Sequence, residues 1–319
     1  MLLPKISKES MMSGELHVIF GTGPIGKATA RCLVSAGKQV RMINRSGKAS
    51  HLPESVEVLA GDIYDQHFVA QQAQAATSVY QCAQPAYYEW TSKFPAMQAA
   101  VIEGVAQSKA KLVVMENLYG YGRSNGQPMT ETTPFAAHTR KGKLRAQMSE
   151  QLFAAHNAGK IRATSVRASN FYGPEYQLMG DQVVKPALQG KKVNLLGKAD
   201  VLHSFSYVND IGASLAILGT DERGLGRPWH APSPAALTQQ EFVAILAKVL
   251  GKPVGYRTVN TAMVWLLGRF IKELAETVEM MYEWQAPFIM DSSAFSKTFE
   301  LEATPIEQGI KAMADWFRN

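Results

Sequence analysis

At 319 residues, with 46% apolar side chains, the chain is long enough for one large or two modest domains around a full core. Its formal net charge of +6 is mild and spread along the sequence. No run approaches the ~18 consecutive apolar residues of a membrane helix; the longest, 262–267, is broken by Gly268 and Arg269. Residues 1–14 include Lys5, Lys8 and Glu9, lack the apolar core of a secretory signal, and read as a loose tail. Cys32 and Cys82 are the only cysteines, which suits a reducing cytoplasm and not a disulfide framework.

From residue 15, short β-branched runs alternate with helical patterns. A strand is expected over 16–20, a helix over 25–36, and a strand over 39–43. Strands at 56–59 and 78–82 enclose a helix over 66–76. A helix over 97–108, a buried strand at 112–115, a long helix over 141–156 and a sixth strand over 161–167 complete the series. Alternation at this spacing means an α/β fold, a parallel sheet covered by helices on both faces. Right-handed crossovers make it a Rossmann-type, doubly wound sheet. After Gly173-Pro174 the patterns turn mixed and mostly helical, at 238–250 and 261–284, with a segment near 205–218 that rejoins the first unit. The expected division is a tail (1–14), a dinucleotide-binding domain (15–173, with a return segment near 203–230) and a smaller substrate-binding region (174–319). A ligand cleft is expected between the last two.

The first strand runs into Gly21-Thr22-Gly23-Pro24-Ile25-Gly26 and then a helix. Gly21 permits the tight turn, Gly23 lets backbone approach a pyrophosphate, and Gly26 lets helix and strand pack closely. Unpaired amides and the positive end of the helix dipole then meet the phosphates. An acid that would grip the ribose hydroxyls of NAD is missing from the second strand, which ends Asn44-Arg45-Ser46. Asn44 can bond a hydroxyl, and Arg45, with Ser46 and Lys48, can pair with a 2′-phosphate, so NADP is the favoured cofactor and NAD the alternative. A plain surface arginine in a loop is the lesser alternative for Arg45. Asp62, before Ile63, is placed to accept from the adenine, or simply to form an Asx turn that caps the helix at Gln66. Cys82-Ala83-Gln84 offers small side chains over which a cofactor can lie.

Taken together these residues resemble the extended short-chain dehydrogenase/reductase superfamily, also called NAD-dependent epimerases/dehydratases. Further support comes from Arg167-Ala168-Ser169-Asn170-Phe171-Tyr172-Gly173-Pro174, similar to the family's R-x-x-N-x-Y-G-P, and from 203–211 and the C-terminal Thr304-Pro305, Gly309 and Trp316. The resemblance implies an enzyme and contributes Ala168 to the cofactor site. The sequence departs from the family in its catalytic set. Phe20 stands where the family's first glycine belongs, Asn117 where it has Ser or Thr, and Thr139 where its Tyr-x-x-x-Lys tyrosine belongs, with Lys143 keeping the lysine position. A threonine is far too weak an acid for one ammonium to tune to neutrality.

Tyr119, two residues past Asn117, is the first candidate to take over the proton, with His138 beside Thr139 as another. Tyr87 and Tyr88, with Trp90, are placed to wall the substrate pocket, and Asn170 to orient a substrate. No metal site is expected. The leading reading is an oxidoreductase or epimerase/dehydratase-like enzyme acting on the hydroxyl or carbonyl of a small, sugar-like substrate. The alternative is a catalytically impaired dinucleotide-binding sensor or regulatory protein. The basic cluster Arg140, Lys141, Lys143 and Arg145 reads as a solvated helix face, so no nucleic acid partner is expected, and no membrane partner either. A homodimer through the helices at 97–108 and 141–156 is the expectation from the resemblance.

Overall fold

The computed structural model describes residues 14–318. The residues of the expected tail, apart from Gly14, lie outside them. The first half follows the alternating pattern: β1 (Leu16–Phe20), α1 (Pro24–Ser35), β2 (Gln39–Asn44), β3 (Glu57–Ala60), α2 (Gln66–Gln74), β4 (Ser78–Gln81), α3 (Trp90–Val105), β5 (Lys111–Asn117), α4 (Arg140–Asn157) and β6 (Arg162–Ala168). The second half adds β7 (Asn170–Tyr172), the short α5 (Gln177–Met179) and α6 (Lys185–Leu188), β8 (Val193–Leu196), β9 (Leu202–His203) and β10 (Phe205–Tyr207). There follow α7 (Val208–Thr220), β11 (Pro228–His230), β12 (Leu237–Thr238), α8 (Gln239–Leu250), β13 (Tyr256–Val259), α9 (Thr261–Gly268), α10 (Lys272–Thr277), α11 (Ser293–Phe299) and α12 (Ile306–Arg318).

Seven parallel strands form the main sheet in the order β11-β6-β5-β4-β1-β2-β3. The chain winds outward from β1 to β3, then crosses back to β4 and winds the other way. That reversal opens a crevice at the carboxyl ends of β1 and β4, where open α/β sheets bind ligands. The strands read as continuous apolar runs because both faces are covered. In β1, Val18 and Phe20 join the core beneath α2, α3 and α4, while Ile19 points to the other face, against α1 and α7. Leu112 and Val114 against Val113 repeat the alternation in β5.

A separate core under α8 and α12 contains Tyr172, Phe205, Phe242, Leu246 and Met313. Asp210 of α7 ties the closing segment to it: its carboxylate accepts from the Thr304 amide at 2.8 Å and the Thr304 hydroxyl at 2.7 Å.

Two expected helices are corrected. α3 starts at Trp90, ahead of the apolar period that begins at residue 97, and runs through Pro95, which leaves the Thr91 carbonyl without its usual helical donor. The span 261–284 is not one helix. α9 stops at Gly268, whose missing side chain lets Ala275 of α10 approach: a Cβ there would stand 2.7 Å from the Ala275 Cα. A 3-10 stretch, Val278–Gln285, follows α10.

Candidate active site

At the glycine turn the three glycines have three different reasons. Gly21 adopts φ +112°, and a Cβ on it would lie 2.7 Å from the Ala83 amide nitrogen. On Gly26 it would lie 2.2 Å from the Gly21 carbonyl oxygen. Gly23 is unlike both. Its backbone is extended (φ −74°, ψ 178°), and a Cβ would meet nothing within 4 Å. No protein atom requires glycine there, so the open space before the helix is what the missing side chain preserves. α1 begins at Gly23 with no side-chain cap and Pro24 in its first turn, leaving its amides free for an anion.

Beside the turn, Asn44 ends β2. Its amide donates to the Thr22 hydroxyl at 2.8 Å and to the Lys48 carbonyl at 2.8 Å, and its oxygen accepts from the Ser46 and Gly47 amides. Arg45 is exposed and makes no hydrogen bond or ion pair among the described residues. Asp62 forms the Asx turn, accepting from the Tyr64 amide at 2.9 Å, but the cap of α2 is Asp65, not Asp62. Ile63 is buried next to it. Burial pushes the Cys82 thiol up to about 12. Ala83 packs over Gly21, and Gln84 follows it in the loop after β4.

At the catalytic positions, Asn117 ends β5 opposite Ala168 of β6, its oxygen accepting from the Tyr119 amide at 3.2 Å. Thr139 is the N-cap of α4. Its hydroxyl accepts from the Gly142 amide at 3.1 Å and lies 3.5 Å from the Met280 sulfur, which covers it. Lys143 is exposed and unpaired among the described residues. His138 is exposed with its ring edge-on to Tyr282, at a centroid distance of 4.6 Å. The basic cluster is not the solvated face expected: Lys141 and Arg145 are buried. The helical period turns them inward, while Arg140 and Lys143 remain outside.

Around Lys141 the structure gathers Tyr87, Trp90 and Tyr119, which the sequence singled out, with three glutamates that it did not. Its ammonium pairs with Glu276 and, at 3.3 Å, with Glu279, and sits 4.6 Å from the centre of the Tyr87 ring. Tyr87 and Tyr119 interact through their hydroxyls, with Trp90 packed against both rings. Burial holds both hydroxyls far above the usual tyrosine range, so they keep their protons. Glu283 is buried nearby with its Oε1 unpartnered among the described residues, and burial pushes its carboxyl up to about 8. Its charge bears on Tyr87, Tyr119 and Tyr282. Glu276, Glu279 and Glu283, three and four residues apart, were the signal in the sequence: carboxylates at helical spacing, which α10 and the 3-10 stretch after it carry. Tyr88 faces outward, beneath Lys272.

A cleft of about 470 Å³ is bounded by His138, Thr139, Arg123, Glu279 and Tyr282; Tyr87, Tyr119, Lys141 and Glu283 do not line it. A larger recess of about 560 Å³ lies near Pro128, Ser233 and Asp291 and includes none of the expected site residues. Behind the site, Asn170 lies 3.3 Å from His203 Nδ1; the His203 ring is stacked on Trp284, and burial holds its pKa at about 4.

A model of the NAD dependent epimerase/dehydratase family matches residues 18–227. The chain belongs to that family. Its fold is also that of solved structures in which the same arrangement recurs. UDP-glucuronic acid 4-epimerase from Bacillus cereus, in complex with NAD, aligns with 95% of this chain and 96% of its own at 14% identity and a TM-score of 0.77. The dTDP-glucose 4,6-dehydratase DesIV from Streptomyces venezuelae, with NAD and TYD bound, gives 16% identity over 95% and 97%, TM-score 0.77. WbmH from Bordetella bronchiseptica, in complex with NAD+, gives 18% over 96% and 98%, TM-score 0.73. At these identities the likeness establishes the fold. No curated protein matches the sequence. The expectation of NADP is corrected: the family is described as NAD dependent, and these three structures hold NAD. The local reason is that Asn44 is engaged by its own loop while no described contact positions Arg45 for a 2′-phosphate.

Proposed function

We propose that this protein is an NAD(H)-dependent oxidoreductase or epimerase/dehydratase-type enzyme acting on a hydroxyl or carbonyl of a small, sugar-like substrate. The observation that carries the reading is Gly23: an extended glycine with open space at its Cβ position, before an uncapped helix, at the sheet's switch point. NAD fits there, with its pyrophosphate at the amides of α1 and its ribose beside the loop that Asn44 braces. Bound NAD supplies the acceptor or donor of a hydride at the substrate carbon. The protein must then move a proton at the substrate oxygen.

Thr139, spent as a helix cap under Met280, does not serve that purpose. Tyr119 does, in this reading, donating from its hydroxyl with Tyr87 beside it. Glu283 is the neighbouring group whose proton is held nearest to neutrality, and it recharges the pair. Asn117 fixes the loop that carries Tyr119. Asn170 orients the substrate. The test is NADH binding followed by a panel of nucleotide sugars and simple carbonyls, scored for a NADH absorbance change. Binding with turnover that Tyr119→Phe abolishes is the expected result.

A second reading, an NAD-binding regulatory protein without turnover, is favoured by one observation. The position of the family's catalytic tyrosine is filled by a buried threonine whose hydroxyl is taken up by the Gly142 amide and the Met280 sulfur. NADH binding without turnover on any substrate class would select it.

A further inference from the structure

The α9–α10 hairpin is apolar on its outer side. Phe270 is 84% exposed, Leu266 56% and Trp265 55%, with Met263, Leu267 and Ile271 also exposed. In α9 only Val264 is buried. A helix apolar on all sides is normally covered, and a contiguous patch of this kind marks an interaction surface. Its eight residues span ~12 Å, far short of the ~30 Å of a bilayer core, and no described helix is long and apolar enough to cross a membrane.

The charges around the patch choose among occupants. From residue 254 to 272 the sequence has three cations, Arg257, Arg269 and Lys272, and no carboxylate. Arg269 sits over the Trp265 ring at 5.6 Å and Lys272 over Tyr88 at 5.7 Å, and none of the three cations is ion-paired among the described residues. Glu273 follows on the next turn, while Glu276 and Glu279 are turned inward to Lys141 and Arg140. Tryptophan, phenylalanine and leucine at a protruding tip, rimmed by unpaired lysine and arginine, match an in-plane membrane anchor. A second copy of the same tip would bring like charges together. We propose that this hairpin docks on an anionic phospholipid surface, its tip among the acyl chains and its cations among the headgroups. The proposal is independent of the dinucleotide reading.

The experiment is flotation of the full chain with phosphatidylcholine vesicles, with and without 30% phosphatidylglycerol (about a third of the lipid, enough for a strong surface potential). Co-flotation with the anionic vesicles, weakened by salt, and little with the neutral ones is expected. Two double variants, Leu266→Ser with Phe270→Ser and Arg269→Ala with Lys272→Ala, should each lower the bound fraction's partition coefficient on the order of tenfold. Unchanged NADH binding or an unchanged melting temperature shows that each variant is folded, so a failure here stays distinct from failure of the dinucleotide site. Absence of flotation with anionic vesicles, or flotation indifferent to both variants, overturns the proposal. A dimer that the serine variant splits into monomers overturns it too, and identifies a second copy as the cover.

Discussion

The Arg167 Nε donates to the Glu116 Oε2 at 2.9 Å across the paired β6 and β5, with their side chains only 5% and 3% exposed. One carboxylate oxygen carries the whole network, while Glu116 Oε1 is buried with no hydrogen-bond partner among the described residues. Ser149 and Ser165 donate to the same carboxylate oxygen, and Arg167 also donates to the Tyr121 hydroxyl at 2.6 Å and to Ser149 at 2.8 Å. Tyr121 in turn meets His230 of β11 at 2.8 Å. Asn117 and Tyr119 therefore hang from a strand end whose preceding residue is locked to its neighbour. Removing Arg167 leaves the buried Glu116, among the described residues, with only the buried Arg145 nearby, which makes no hydrogen bond to it, so Arg167→Met should lower the unfolding free energy by about 3–5 kcal/mol. Glu116→Leu in the same background should recover part of that loss. Urea denaturation of the single and double variants measures both.

The glycine turn separates folding from binding. Gly26→Ala places a methyl 2.2 Å from the Gly21 carbonyl oxygen and should cost about 1–3 kcal/mol of stability along with cofactor binding. Gly23→Ala meets no protein atom, so its stability should change by less than about 1 kcal/mol. NADH affinity should nevertheless fall on the order of tenfold or more, because the methyl occupies the space a pyrophosphate needs. Thermal melts beside NADH titrations of the two variants would show this.

Thr139→Ala tests whether the threonine is only a cap. Loss of its bond to Gly142 should cost about 1 kcal/mol. Any turnover present in the parent should survive. Tyr119→Phe should do the opposite, keeping stability and NADH affinity while turnover falls by a factor on the order of 10²–10⁴.

Stability should depend on pH from both sides. Burial holds His17, His203 and His230 at about 4, below the ordinary 6.5. Each is neutral when folded, so their contribution is present above about pH 6.5 and is lost as pH falls toward 4. Glu283 works in the other direction. Burial raises it from 4.5 to about 8, so its contribution is complete below about 4.5 and is lost as pH rises through 8. Glu283→Gln should flatten the alkaline side of a melting-temperature profile and leave the acid side unchanged.

The sheet was legible because strands covered on both faces betray themselves as short β-branched runs. β1 falls on residues 16–20 as read, and the other five early strands lie within two residues of their expected ends. Less legible was whatever depends on which way a charged side chain points. Lys141 and Arg145 look like surface cations in sequence and are buried, because α4 turns them inward, one to Glu276 and Glu279 and the other over the Phe94 ring. The group around Tyr119 could not be assembled from motifs either, since Glu283 arrives from a 3-10 stretch more than a hundred residues away in sequence. The cofactor choice went astray for a related reason: Arg45 has the right chemistry for a 2′-phosphate but no contact that holds it in place.

The central claim is that the turn at Gly21–Gly26 holds NAD. Titrating the purified chain with NADH and with NADPH, and following the nicotinamide fluorescence, tests it most directly. Saturable binding that favours NADH and is weakened by Gly23→Ala in a folded protein is the expected result. A folded chain that binds neither nucleotide would contradict the account.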